Sequence, residues 1–245
     1  MPTDDEPCEH LPWDTDFFGM EIASVRAGTL TADRSAAIDA WCAGRNIQCL
    51  YFVARPDDAA TVKQAEDRGY RLVDVRVTME VGKISDFKSE ISNFEFQVLN
   101  FKTDDLPALR QIARAIHKEG RFFFDDRFPR GQAEAFYEKW ISNSCCDGFA
   151  QKVFVVHNSG QPAGYVTCHL ADGVGSIGLI GVDGTSRGKG LGRRLVHAAV
   201  EWFESQSVSR VSVVTQGRNI AAQRLYARCG FIVRDVELYY HKWFR

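Results

Sequence analysis

The stretch "GVDGTSRGKGLGRRL" runs from Gly181 to Leu195 and holds five glycines and four basic residues. An apolar pattern follows it: Leu195, Ala198, Ala199 and Trp202 recur at the spacing of one buried helical face. The start of a helix exposes unpaired N–H groups and the positive end of its dipole. Glycines let the backbone curl around an anion without Cβ clashes. The stretch therefore predicts a turn that holds a phosphate on bare backbone. Arg187, Lys189, Arg193 and Arg194 sit where cations are unfavourable unless an anion is bound, so Arg187, Lys189 and Arg193 are candidate phosphate ligands.

Three phosphate-binding patterns compete for it. A P-loop needs a first glycine at Asp183 and a Ser or Thr at Gly190, and both fail. A dinucleotide fingerprint needs its third glycine at Arg193 or Leu195, and that fails too. The pattern that fits is Arg/Gln-x-x-Gly-x-Gly/Ala, here Arg187-Gly188-Lys189-Gly190-Leu191-Gly192. It lies between the apolar strand "GSIGLIGV" (Gly175–Val182) and the helix "RRLVHAAVEWF" (Arg193–Phe203).

Read outward from that loop, the chain alternates strand and helix. In the first part, strands are expected at Glu21–Ala27, Gln48–Arg55 and Tyr70–Val81, and helices at Ala32–Ala43 and Asp57–Arg68. The polar stretch Gly82–Asn93 is read as a boundary, giving domains 1–92 and 93–245. A strand at Phe94–Phe101 opens the second part. Helix Asp104–Lys118 is expected next, capped by Thr103 or Asp104, then a loop and helix Gln132–Asn143. Strands Lys152–His157, Pro162–Leu170 and Val174–Val182 lead to the glycine loop. A helix ending near Gln206, strand Val208–Thr215, helix Asn219–Arg228 and strand Phe231–Trp243 complete an α/β fold with a mixed central sheet.

The closing pattern occurs twice. With an offset of 161 residues, Trp41 falls on Trp202, "LYFVARPDDAA" on "VSVVTQGRNIA" and "RGYRLVDV" on "CGFIVRDV". The spacing predicts a duplicated unit whose first copy is degenerate. Gly190, Gly192 and Tyr226 align with Thr29, Thr31 and Ala65, so one active site is expected, in the second copy.

Composition narrows the class. Over 245 residues, 45% are hydrophobic and 25% charged, and the net charge is −2. This is ordinary for a globular protein and gives no general attraction to nucleic acid or anionic membrane. The acidic N-terminus lacks the basic and apolar regions of a signal peptide, and no apolar run is long enough to span a membrane, so a cytoplasmic location is expected. Seven scattered cysteines without a CxxC read as reduced thiols, and six histidines without HxH or HExxH spacing give no metal site.

The glycine loop and a second signature, "NIAAQRLYARCGF" (Asn219–Phe231), together resemble the GNAT acetyltransferases. The second signature looks like the family's Asn-x-x-Ala-x-x-x-Tyr-x-x-x-Gly-Phe. The resemblance covers about Phe94 to the C-terminus and implies the GNAT acyl-CoA N-acyltransferase fold, with a smaller GNAT-like half before it. It also implies acetyl-CoA, its pyrophosphate held by Arg187, Gly188, Lys189, Gly190, Leu191, Gly192 and Arg193, with Asn219 and Ala222 beside it. One departure is Gly184, where the family commonly has proline. "LPWDTDFFG", "RFFFDDRFP" (Arg121–Pro129) and "FYEKWI" (Phe136–Ile141) look like the dTDP-fucosamine acetyltransferases, over nearly the whole chain. That narrower resemblance implies acetylation of the amino group of a dTDP-4-amino-4,6-dideoxyhexose for surface polysaccharide, and the family adds the expectation of a homodimer.

The resemblance also distributes roles. Backbone N–H groups of Ile180 and Val182 are the candidate oxyanion donors. Tyr226 stands at the family's general acid, with Asn219 two turns before it. A phenol with a pKa near ~10 can protonate a thiolate whose thiol has a pKa near ~8.5. The strand "VGSIGLIGV" holds no carboxylate, so the base is unassigned; Asp183 belongs to the loop turn. For the acceptor, Trp13, Asp14, Phe17, Arg121, Asp125, Asp126 and Arg127 are candidates: carboxylates for a sugar amine or hydroxyl, arginines for a diphosphate, aromatics for thymine. Rival readings are a protein N-terminus, lysine or polyamine as acceptor, or a non-catalytic acyl-CoA-binding module.

Overall fold

The computed structural model describes residues 6–26, 28–81 and 96–244. The chain forms two compact units. The first comprises residues up to Arg76 together with Val236–Arg245, and the second Val77–Asp235. Two strands pass from one unit to the other, β4 (Arg71–Val81) and β10 (Ile232–Trp243), so the units are not successive lengths of chain. The expected boundary at Gly82–Asn93 lies outside the described residues.

In the first unit the strand order is β1 (Cys8–His10), β2 (Ile22–Val25), β3 (Cys49–Ala54), then β10. β3 runs parallel to β2 and antiparallel to β10, where Leu238–Trp243 face Ala54–Cys49. A central strand buried on both faces needs an unbroken apolar run, and "CLYFVA" supplies one. Leu50 and Phe52 pack with Ile38 and Cys42 of α2 (Ala32–Gly44), Ala65 of α3 (Ala59–Asp67), Tyr70 and Tyr240. Helix α1 (Pro12–Phe18) lies in "LPWDTDFFG", where no helix is expected from periodicity. Pro12 fits its first turn, and Gly19, at φ 67°, ends it.

In the second unit, β5 (Val98–Asn100), β6 (Lys152–Asn158), β7 (Gln161–Ala171) and β8 (Val174–Val182) pair antiparallel in that order. β9 (Arg210–Gln216) then joins β8 in parallel. α4 (Leu106–Ile116) and α7 (Leu191–Ser205) cover opposite faces of β7 and β8. A Cβ on Gly181 would meet Ile116 Cδ1, and one on Gly164 would meet Leu195 Cδ1. The other helices are α5 (Arg121–Phe124), α6 (Arg130–Cys146) and α8 (Ile220–Arg228).

Two helix starts differ from expectation. α4 begins after a 3-10 turn at Thr103–Asp105, and neither Thr103 nor Asp104 caps it. The local carboxylate that matters is Asp105: one oxygen accepts from Lys102 N at 2.9 Å and the other bonds His157 Nε2 at 2.9 Å. The expected loop before α6 holds α5, because Phe122 and Phe128 turn inward and fold that segment onto Phe136.

Candidate active site

β8 is bulged. Val166 pairs with Ile180 and Cys168 with Ile177, leaving Gly178 and Leu179 opposite Thr167 alone. The buried Thr167 Oγ1 accepts from Leu179 N at 2.8 Å. Four residues later, Asp183 N donates to Ala163 O at 2.8 Å. Successive amides on a strand point to opposite edges. The N–H groups of Leu179 and Asp183 point to β7, so those of Ile180 and Val182 point to the β9 edge. The parallel ladder covers Val174–Ile177 and Arg210–Val213, and both strands continue beyond it. The amides of Ile180 and Val182 thus face the gap where the strands part.

Beyond β8 the glycine loop turns into α7. Gly188 and Gly190 have φ of 78° and 83°, a left-handed conformation that costs other residues about 1–2 kcal/mol. Gly190 is the N-cap and offers no side-chain acceptor, so the first amides of a 15-residue helix receive no side-chain cap. Gly192 lies in the first turn; a Cβ there would sit 3.1 Å from Leu225 Cδ2 of α8. Arg187 and Lys189 are exposed, Arg193 and Arg194 half-buried, and no acidic residue occupies the first turn of α7. His197 lies one turn below Arg193, whose Nε approaches it at 3.4 Å. Burial, then repulsion from Arg193 and Arg194, lowers its pKa to about 4 and keeps it neutral. The start of α7 therefore brings amides without a side-chain cap and guanidinium groups together, with no acidic residue in the first turn.

Asn219 is the N-cap of α8, and its Oδ1 accepts from Ala222 N at 3.0 Å. Gln223 Nε2 donates to the carbonyls of Gln216 and Gly217 and pins the turn between β9 and α8. Tyr226 is 3% exposed, with its ring 5.8 Å from that of Phe231. Burial, then Cys229, raises its pKa, so the phenol holds its proton throughout the neutral range. Among the described residues its hydroxyl makes no hydrogen bond.

The remaining candidates fall into two groups. In the first unit, Trp13 is 40% exposed and stacks on Phe17, while Asp14 accepts from Tyr51 Oη at 3.2 Å. In the second, the Arg121 guanidinium lies 4.2 Å from the ring centre of Phe122. Asp125 is buried and accepts from Arg127 N at 3.2 Å, and Asp126 and Arg127 are exposed. Sequence reasoning missed His117 and Tyr165, whose side chains meet at 2.9 Å on the α4 face of β7. His117 also stacks on Tyr137, and burial lowers its pKa to about 4. No spacing signal joins these residues, because they lie on separate elements. Among the described residues, no cluster of His, Cys, Asp and Glu is placed to hold a metal, and no helix is long and apolar enough to cross a membrane.

The model of the Acetyltransferase (GNAT) family matches residues 110–231. The chain is 26% identical over 242 residues to the dTDP-fucosamine acetyltransferase of Escherichia coli O6:H1 (strain CFT073), covering 96% of this chain and 97% of that one. It is 30% identical over 139 residues to the spore coat polysaccharide biosynthesis protein SpsD of Bacillus subtilis (strain 168), covering 57% of this chain and 48% of the relative. The crystal structure of a GCN5-related N-acetyltransferase from Sphaerobacter thermophilus superposes with a TM-score of 0.68 at 17% identity. That match covers 96% of this chain and 76% of the other, and establishes the shared fold. The chain is an N-acetyltransferase that carries a domain of the GNAT acetyltransferase family.

Proposed function

We propose that the protein transfers acetyl from acetyl-CoA to the amino group of a dTDP-linked 4-amino-4,6-dideoxyhexose. The observation that carries the reading is the parting of β8 from β9, with the amides of Ile180 and Val182 facing the gap and the uncapped start of α7 beside it. Arg187, Gly188, Lys189, Gly190, Leu191, Gly192 and Arg193 hold the coenzyme's diphosphate at the start of α7. Acetyl-CoA supplies the acetyl group as a thioester. The N–H groups of Ile180 and Val182 stabilise negative charge on the carbonyl oxygen as the amine attacks. Tyr226 Oη donates its proton to the departing sulfur, and the proton that the attacking amine sheds restores the phenol. Asn219 acts by fixing the start of α8 and so the depth of Tyr226.

The nucleotide-sugar acceptor rests on the full-length similarity to the dTDP-fucosamine acetyltransferase. The first unit serves as a degenerate copy on the acceptor side. At the offset of 161 residues, α3 falls on α8, and Asp58 and Asn219 cap them alike, each through an amide three residues on. The two copies part at the anion site. Thr31 caps α2 with its own hydroxyl, and the Arg34 guanidinium donates to the carbonyls of Arg26 and Thr29. The test is acetyl transfer to a dTDP-4-amino-4,6-dideoxyhexose beside a peptide amine and a polyamine. Turnover confined to the nucleotide sugar is the expected result, and turnover confined to the peptide or polyamine overturns the acceptor assignment.

A further inference from the structure

Three consecutive phenylalanines, Phe122, Phe123 and Phe124, each carry a guanidinium on the ring. Arg121 lies 4.2 Å from the centre of Phe122, Arg130 5.5 Å from Phe123, and Arg218 4.1 Å from Phe124. Phe122 is core, at 2% exposure, and Phe123 is half-buried. Phe124 is 59% exposed even with Arg218 on its ring. Its cation also differs in origin. Arg121 and Arg130 are local, whereas Arg218 reaches from the turn between β9 and α8 and donates from Nη1 to Glu119 O at 3.2 Å. Arg218 directly precedes Asn219, the cap of the helix that carries Tyr226.

An exposed aromatic ring backed by a cation suits a flat ligand that bears negative charge: the π face stacks and the guanidinium pairs with phosphate. We propose that Phe124 and Arg218 form the platform for the base and diphosphate of a pyrimidine nucleotide, the handle by which the acceptor sugar is held. Neither residue is among the acceptor candidates named from the sequence; the pair joins the α5 segment to the turn that leads into α8. The inference deepens the nucleotide-sugar reading and rests on it.

The experiment is titration calorimetry with dTDP, and separately with acetyl-CoA, on the full chain and on Phe124→Ala, Phe124→Trp and Arg218→Ala. The expected result is about tenfold weaker dTDP binding in Phe124→Ala and Arg218→Ala, retained binding in Phe124→Trp, and unchanged acetyl-CoA affinity throughout. Phe124 is exposed, so these variants should fold, and thermal unfolding with an unchanged Tm checks that they do. Equal dTDP affinity in all four proteins overturns the platform while leaving the nucleotide-sugar reading intact. Absence of dTDP binding by the unaltered protein overturns both. Weakened acetyl-CoA binding in Arg218→Ala or Phe124→Ala assigns the pair to the coenzyme instead and overturns the platform.

Discussion

The hydroxyl of Thr167 stands in for a backbone carbonyl: it takes the amide proton of Leu179 at 2.8 Å, where the bulge leaves two residues of β8 against one of β7. That bond holds the bulge just before the strand reaches Ile180 and Val182. Thr167→Val keeps the shape and removes the acceptor, leaving a buried amide unpaired. The expected loss is about 1–3 kcal/mol in denaturant unfolding. A fall in kcat with little change in acetyl-CoA affinity is expected alongside it, because the two downstream amides lose their fixed aim. A variant with normal stability and normal kcat would show that the bulge does not depend on this hydroxyl.

Tyr226→Phe removes one oxygen from a buried ring. Acetyl-CoA affinity should stay within a few-fold, and kcat should fall by about 10²–10⁴. Because burial raises the pKa of this phenol, it titrates well outside the working range. Any pH dependence of kcat near neutrality should therefore survive the substitution, with only its height reduced. Steady-state rates between pH 6 and pH 9 check both points.

Gly190→Ala tests the anion turn through the backbone. At φ 83° a Cβ is strained by about 1–2 kcal/mol. The cost falls on the cap of α7, so the KM for acetyl-CoA should rise about tenfold while the KM for the acceptor holds. Gly192→Ala acts by another route, since its Cβ meets Leu225 at 3.1 Å and pushes α7 from α8. The two variants should therefore differ: the first mainly weakens coenzyme binding, and the second also disturbs Tyr226 and lowers kcat.

Calorimetric titration should find one acetyl-CoA per chain. In the first unit Thr31 Oγ1 already takes the amide of Arg34 at the start of α2, and Asp33 places a carboxylate in the first turn, which disfavours a second diphosphate there. Two sites per chain would refute the single-site assignment.

Acid should destabilise the protein through two histidines. His117 and His197 both have pKa values lowered from 6.5 to about 4, chiefly by burial. Between those values the unfolded chain binds more protons than the native one, so stability is full above pH 6.5 and is lost as pH falls towards 4. Each histidine contributes on the order of 1–2 kcal/mol between pH 7 and pH 5. Thermal unfolding should show a Tm lower by several degrees at pH 5 than at pH 7. His117→Gln should recover part of that difference.

The sequence by itself determined the glycine turn, the helix that follows it and the asparagine-capped helix of the second signature. Those signals are local: a left-handed glycine, an uncapped helix start and an asparagine cap are set by neighbours a few residues away. The apolar run "CLYFVA" likewise announces a central strand wherever its partners come from. Tertiary structure decided the rest. Nothing in "ELYYHKW" says that it completes the sheet of the first unit beside β3, because strand pairing is chosen by long-range packing. The aim of the Ile180 and Val182 amides depends on a bulge whose acceptor lies on another strand. The pairing of Phe124 with Arg218 joins residues 94 positions apart (218 − 124). Contacts of that range carry no periodic signal, so only the folded chain brings them together.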